Sequence, residues 1–348
     1  MPQPRLGVVI DYAADFAESA ADAQEFDRVG VDVIGVAEAY SFDAVSRLGY
    51  LAAITSRITL ASSILPLYSR TPALLAMTAA GLDSVSGGRF ELGIGSSGPQ
   101  VIEGFHGVPF TAPLGRTREI VEICRAIWRR ERIEHHGKYY QVPLPAGEGT
   151  GLGKPLRIIN TPVRSAIPIT IAALTPKGVA QAAEIADGWV PLFFHPERAP
   201  LAWAAALEEG KARRDASLGE LDVIAQVPLF IGDNFDEALD EYRKRIALYV
   251  GGMGARGANF YNELATRYGY ADEADEIQQL YLSGRKQEAA DAVPDGLARA
   301  TSLIGTERDV RSQLGAFFEA GATTISVQSV SPDRSSRIEM VEALRSMF

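Results

Sequence analysis

Eight short apolar, β-branched runs recur along the chain, and nearly all are followed by a segment with helical spacing. They lie at about 5–10, "VDVIGVAE" (31–38), "RITLASSI" (57–64), "RFELGIG" (89–95), 168–173, "GWVPLF" (188–193), "LDVIAQVPLFI" (221–231) and "ATTISVQSV" (322–330). Helical patterns cover Asp15 to Val29, Ala44 to Thr55, Pro72 to Val85, Arg116 to Glu131 and Pro176 to Ala186. Eightfold β/α alternation without a composition break predicts a closed (β/α)8 barrel, an α/β fold filling residues 1–348 as a single domain. The competing architecture is a doubly wound sheet with an added domain. It calls for a Gly-rich turn after the first strand, where the chain reads Asp11-Tyr12-Ala13-Ala14.

Three segments exceed ordinary connections, and long barrel insertions usually form lids or walls. They run over about 96–115 after strand four, 132–165 before strand five, with a hairpin-like start, and 249–305 after strand seven.

The bulk numbers narrow the function. A net charge of −10 and no Lys/Arg block argue against a nucleic-acid partner. The one cysteine, Cys124, rules out an internal disulfide framework and sits in a helical pattern that buries it. No run reaches the ~18 apolar residues of a membrane span. The N-terminus passes straight into Leu6-Gly7-Val8-Val9-Ile10 without a basic leader, so a cytoplasmic location is expected.

A barrel places its chemistry at the C-terminal strand ends. Those ends offer Asp11 and Tyr12, Glu38 to Tyr40, Ser62 to Ile64, Gly95 to Gly98, the loop Ala173 to Gly178, and Gln328 with Ser329. None of His106, His135, His136 and His195 has a partner at metal-ligand spacing, and no GxSxG elbow occurs. Asp11 and Glu38 read equally well as an acid/base pair or as hydrogen-bonding positions. In the fifth loop Thr175 suits an N-cap and Pro176 the first helical position. With Lys177 beside them, the residues fit an anion site or an ordinary strand-to-helix turn. This mouth is otherwise small, apolar or hydroxyl-bearing, which suits a flat aromatic cofactor bringing its own chemistry.

Four stretches carry a resemblance spanning nearly the whole chain: "SRTPALLAMTAAGLDSVSGGRFELGIGSSGPQVIEGFHGVPF", "PLGRTREIVEICRAIWRRE", "PKGVAQAAEIADGWVP" and "YVGGMGARGANFYNELATRYGY". On them the chain resembles the luciferase-like oxidoreductases, and within these the deazaflavin-dependent actinobacterial branch related to methylenetetrahydromethanopterin reductase. The resemblance implies coenzyme F420, with FMN as the alternative. It implies that Ala173, Leu174, Thr175, Lys177 and Gly178 cradle the cofactor phosphate. Ser62, Ser63 and Ile64 would form a bulge with a non-proline cis bond at Ser63–Ile64, pressing on the back of the ring. Ser96, Ser97, Gly98 and Val101 would line the ring or its side chain, and Glu38 would stand at its edge. Arg256 would close over the cofactor tail or pack on a partner subunit, and a homodimer is expected.

Departures narrow the reading further. The superfamily's sugar-phosphate dehydrogenases carry an acid–His pair after strand two and a Glu after strand four. Here the residues are Glu38-Ala39-Tyr40 and Ser97-Gly98. Luciferases use a reactive Cys and a His near the flavin, whereas Cys124 is helical and His106 lies in a loop. The expected function is hydride transfer between coenzyme F420 and a small organic substrate. Asp11, Glu38 and Tyr40 are its candidates for proton transfer or substrate polarity. An FMN-dependent monooxygenase and a non-catalytic cofactor-binding protein are the alternatives.

Overall fold

The computed structural model describes residues 3–10, 15–254, 256–331 and 333–348. Eight parallel strands form the centre: β1 (Arg5–Ile10), β2 (Val33–Val36), β3 (Thr59–Ser62), β4 (Phe90–Gly95), β5 (Ile169–Ala172), β6 (Gly188–Val190), β7 (Asp222–Ile231) and β8 (Thr324–Ser329). Each pairs with the next and β8 pairs back to β1, so the sheet closes. Closure decides between the two expected architectures: the fold is a (β/α)8 barrel.

The pleat sorts the strand residues into two layers. Leu6, Val8 and Ile10 of β1, Leu92 and Ile94 of β4, and Ile325 and Val327 of β8 are buried against the surrounding helices. The alternate positions face the lumen and are mostly polar or small, with Val9, Val33 and Ile224 as exceptions. At the lumen floor the Arg5 guanidinium donates to Glu91 at 2.8 Å and to Asp222 at 3.3 Å. A cavity above it is lined by Gly35, Ser63, Gly93, Thr170, Gln226 and Ser326, among others. The apolar layer holds the barrel together, and the sparse lumen leaves its upper end open to chemistry.

The helices in chain order begin with α1 (Phe16–Val29), α2 (Ala44–Ile54), α3 (Pro72–Val85), α4 (Pro99–Gly104), α5 (Pro113–Trp128), α6 (Pro176–Ile185) and α7 (Ala199–Lys211). Helix α3 starts as its sequence dictates: the Thr71 hydroxyl accepts from Leu74 N–H, and Pro72 fills the first position. Helix α5 starts three residues before the expected Arg116, at Pro113, and ends at Trp128. Cys124 is fully buried on it, and burial pushes its thiol up to about 12, so it is no thiolate nucleophile at neutral pH.

The insertion before β5 opens with an antiparallel hairpin, His135–His136 against Gln141–Val142. It docks on Glu119 of α5, whose carboxylate accepts from the N–H groups of Lys138 and Tyr140 at 2.8 Å each. The excursion after β7 begins earlier than expected. Residues Leu303–Gly305 pair with Leu229–Ile231 at the end of β7, so the chain rejoins the barrel where it left. Between these points lie α8 (Asp236–Ala247), a π turn at Leu248–Gly252, α9 (Phe260–Arg267), α10 (Ala271–Leu282), α11 (Lys286–Asp291) and α12 (Asp295–Ala300). Helices α13 (Glu307–Glu319) and α14 (Arg334–Arg345) complete the ring. Among the described residues no helix is long and apolar enough to cross a membrane.

Candidate functional site

The end of β3 is shaped by its own hydroxyl. Ser62 Oγ accepts from Gly93 N–H at 2.8 Å and donates to Gly93 C=O at 2.9 Å, so one side chain replaces a rung of the β3–β4 ladder. The displaced backbone needs room. A Cβ on Gly93 would lie 1.9 Å from the Ser62 carbonyl oxygen, so only glycine fits. Beyond this bulge the Ser63–Ile64 peptide bond is cis. Ser63 Oγ accepts from Gln226 Nε2 at 2.6 Å, linking β3 to β7 across the mouth.

The loop after β5 is pinned through its carbonyls. Ala173 C=O accepts from the Trp189 indole at 2.9 Å. Leu174 C=O accepts from the Trp203 indole at 2.9 Å and from the Arg267 guanidinium at 3.0 Å. The two indoles meet edge to face with centroids 5.1 Å apart. Thr175 Oγ1 caps α6 by accepting from Gly178 N–H at 3.2 Å. A Cβ on Gly178 would lie 3.1 Å from both Ala173 Cβ and Thr175 Oγ1, so the turn is tight. Lys177 is exposed and forms no ion pair among the described residues. With the carbonyls satisfied from within and Gly178 N–H given to Thr175, the Lys177 N–H and ammonium, which have no partner among the described residues, are left to an anion.

Glu38 stands at the end of β2 as half of a pair. Both carboxylate oxygens accept from Arg70, at 2.6 and 2.9 Å, and Oε2 also accepts from Ala44 N–H at 2.9 Å at the start of α2. Its side chain is 7% exposed and that of Arg70 13%. This carboxylate is therefore a desolvated, doubly held anion. Tyr40 is exposed on the rim, its ring 6.1 Å from that of Phe105. Ser96 and Ser97 are half-buried after β4, Ser97 with φ +58, while Gly98 caps α4 and Val101 is half-buried on its first turn. Arg256 is exposed in the excursion after β7. Asp11 lies outside the described residues.

The opposite side of the mouth carries a cavity of about 40 Å³. Its lining includes Val9, Phe193, Gln226, Tyr242, Arg245 and Gln328. Close by, His195 is buried at the start of α7, and burial brings it down to about 4, so it is neutral at pH 7.

The structure thus gathers Glu38, Ser62 to Ile64, Ser96 to Val101 and Ala173 to Gly178 around one opening and leaves Arg256 on the surface. It adds Arg70, Gln226, Arg245, Trp189 and Trp203. Only Gln226 carried a sequence signal, as a polar residue inside an apolar strand; Arg70 and Arg245 read as ordinary loop and helix residues, and Trp189 and Trp203 as core. Among the described residues no three His, Cys, Asp or Glu side chains gather as a metal site.

A family model described as luciferase-like monooxygenase matches residues 3–324. A protein of Mycobacterium tuberculosis, named provisionally as a coenzyme F420-dependent oxidoreductase, is 40% identical over 95% of this chain and 96% of its own length. The 5,10-methylenetetrahydromethanopterin reductase of Archaeoglobus fulgidus is 27% identical over 90% of each chain. The solved coenzyme F420-dependent tetrahydromethanopterin reductase of Methanopyrus kandleri superposes with a TM-score of 0.82 over 98% of this chain and 97% of its own, at 23% identity.

Proposed function

The chain belongs to the luciferase-like monooxygenase family, a family of oxidoreductases, and from that premise we propose that it transfers a hydride between coenzyme F420 and a small organic substrate. The observation that carries the reading is the fifth loop. Its carbonyls are held inward by Trp189, Trp203 and Arg267, and its helix start lies beside Lys177, which forms no ion pair among the described residues. That is a cradle for a phosphate. The rest of the mouth fits a flat ring. Gly93 and Gly95 leave no side chain there, and the Ser63–Ile64 bulge offers a smooth wall behind it.

The deazaflavin, when bound, supplies the carbon that gives or takes the hydride. The chain's own residues bind and orient. Thr175, Lys177 and Gly178 hold the phosphate; Ser63 and Ile64 support the ring from behind; Ser96 to Val101 flank it. Glu38 serves as a charged strut held by Arg70, which fixes the wall between the ends of β2 and β3. Tyr40, exposed at the rim, touches the substrate.

Fluorescence titration of the purified protein with coenzyme F420 and with FMN tests the reading, with Lys177→Ala as control. The expected result is deazaflavin binding at micromolar concentration or tighter, weakened about tenfold by Lys177→Ala. Preference for FMN would replace the proposal with a flavin monooxygenase. Binding of neither would reduce the loop to a helix cap.

A further inference from the structure

The cavity on the far side of the mouth lies under the excursion after β7. Arg245, in the last turn of α8, reaches into it. Arg245 Nη1 donates to the neutral Gln328 side chain at 2.6 Å, and no carboxylate among the described residues pairs with this guanidinium. Other half-buried arginines divide in two: Arg5, Arg70, Arg164 and Arg337 have acidic partners, while Arg89, Arg214 and Arg267 are taken up by backbone carbonyls of the fold. Its hydrogen-bond partner among the described residues is thus a neutral amide, which leaves further donors of the fork for an anion.

The surroundings are built for a ligand. Gln226 lines the same cavity and bonds Ser63, so the cavity adjoins the bulge that the proposed function sets behind the cofactor ring. Phe193 lines it with φ +56, a conformation that a bulky residue adopts only when its surroundings impose it. The Phe193 ring packs on Tyr249 and Tyr261 at 5.5 and 6.1 Å, and Tyr249 sits in the π turn that follows α8. Such turns cluster at functional sites. At about 40 Å³ the cavity has room for a small polar group such as a carboxylate.

We propose that this cavity is the substrate's anion subsite: Arg245, with the amides of Gln226 and Gln328, takes the carboxylate of an organic acid whose apolar body lies along Phe193. The inference rests on the hydride-transfer reading, since it names the substrate class of the same mouth. It predicts a carboxylic acid or its reduced counterpart, oriented by one charged end, with the reacting carbon toward the ring. A phosphate monoester shares the charge and is the competing ligand chemistry.

The test uses the full-length protein, loaded with coenzyme F420 and unloaded, and saturation-transfer NMR with benzoate, benzamide and inorganic phosphate as probes. Benzoate is expected to bind at least tenfold more tightly than benzamide. Arg245→Gln should weaken benzoate about tenfold or more and leave benzamide unchanged; Arg245→Lys should retain part of the benzoate affinity. The deazaflavin titration should agree within twofold between wild type and both variants, which also shows that they are folded. Equal binding of benzoate and benzamide, or undiminished benzoate binding in Arg245→Gln, overturns the subsite. Tighter binding of phosphate than benzoate overturns the carboxylate in favour of a phosphorylated substrate. Loss of deazaflavin binding in the wild type, with the Arg245-dependent benzoate signal intact, overturns the hydride-transfer reading and leaves the acid site standing.

Discussion

The two halves of the barrel mouth are built from different material. From β3 to β5 the surface is backbone: a bulge held by Ser62, two lumen glycines, and a loop whose carbonyls are pinned by indoles. From β6 to β8 it is side chain: Phe193, Gln226, Arg245 and Gln328 around a cavity. Backbone surfaces admit few substitutions, because glycine positions and hydrogen-bonded carbonyls leave little to vary. Side-chain surfaces can be rewritten one residue at a time. The first half therefore suits a ligand that stays the same, and the second suits one that distinguishes this protein from its relatives.

The sharpest way to break this contrast is Gly93→Ala. The added Cβ meets backbone 1.9 Å away, which no side-chain rotation relieves. We expect a fall in stability of about 3 kcal/mol or more and a loss of deazaflavin affinity of more than about a hundredfold. Thermal unfolding and titration read both, and unchanged values would show that the β3 bulge is not fixed by its backbone.

His195 probes the other half. Its folded value, about 4, lies below its ordinary 6.5, so the unfolded chain takes up the proton first. Stability should therefore fall as pH drops from 6.5 to 4, by up to about 3 kcal/mol, with the full contribution present above 6.5. Melting temperature against pH checks it, and His195→Gln should flatten that part of the profile. A slope that survives the substitution would move the acid sensitivity elsewhere.

A smaller effect sharpens the first half. Glu38→Gln leaves the 13%-exposed Arg70 side chain without its counter-charge, and Arg70→Gln leaves Glu38 in the same state. Each is expected to cost about 3 kcal/mol, and the double variant should recover about 2 kcal/mol of the sum. Additive losses in a denaturant double-mutant cycle would show that the pair is two independent side chains.

How much of this was legible in the sequence follows the same division. Strand ends show in one-dimensional patterning, so Ser62 to Ile64, Gly95 to Gly98 and Ala173 to Gly178 could be named before any fold was seen, while Val101 came from the family resemblance. The Thr175 cap and Pro176 start were legible too, because capping is settled within four residues. Arg70 was not, since its partner Glu38 lies 32 positions earlier. Arg245 looked like any basic residue closing a helix, a pattern that the helix dipole alone explains. Trp189 and Trp203 read as core residues, which they are; that their indole N–H groups also hold a loop is a fact of geometry.

By itself, then, the sequence determined the eight strands and the turns and caps at their ends, because local periodicity and turn chemistry act over a few residues. The tertiary structure alone decided which charges meet. It closed β8 onto β1, turned Glu38 from a free acid into the partner of Arg70, and carried Arg245 over the opening on an excursion that returns to β7 at Leu303. Those pairings join residues tens to hundreds of positions apart. Their energy comes from desolvation and close approach, which a chain acquires only when it is folded.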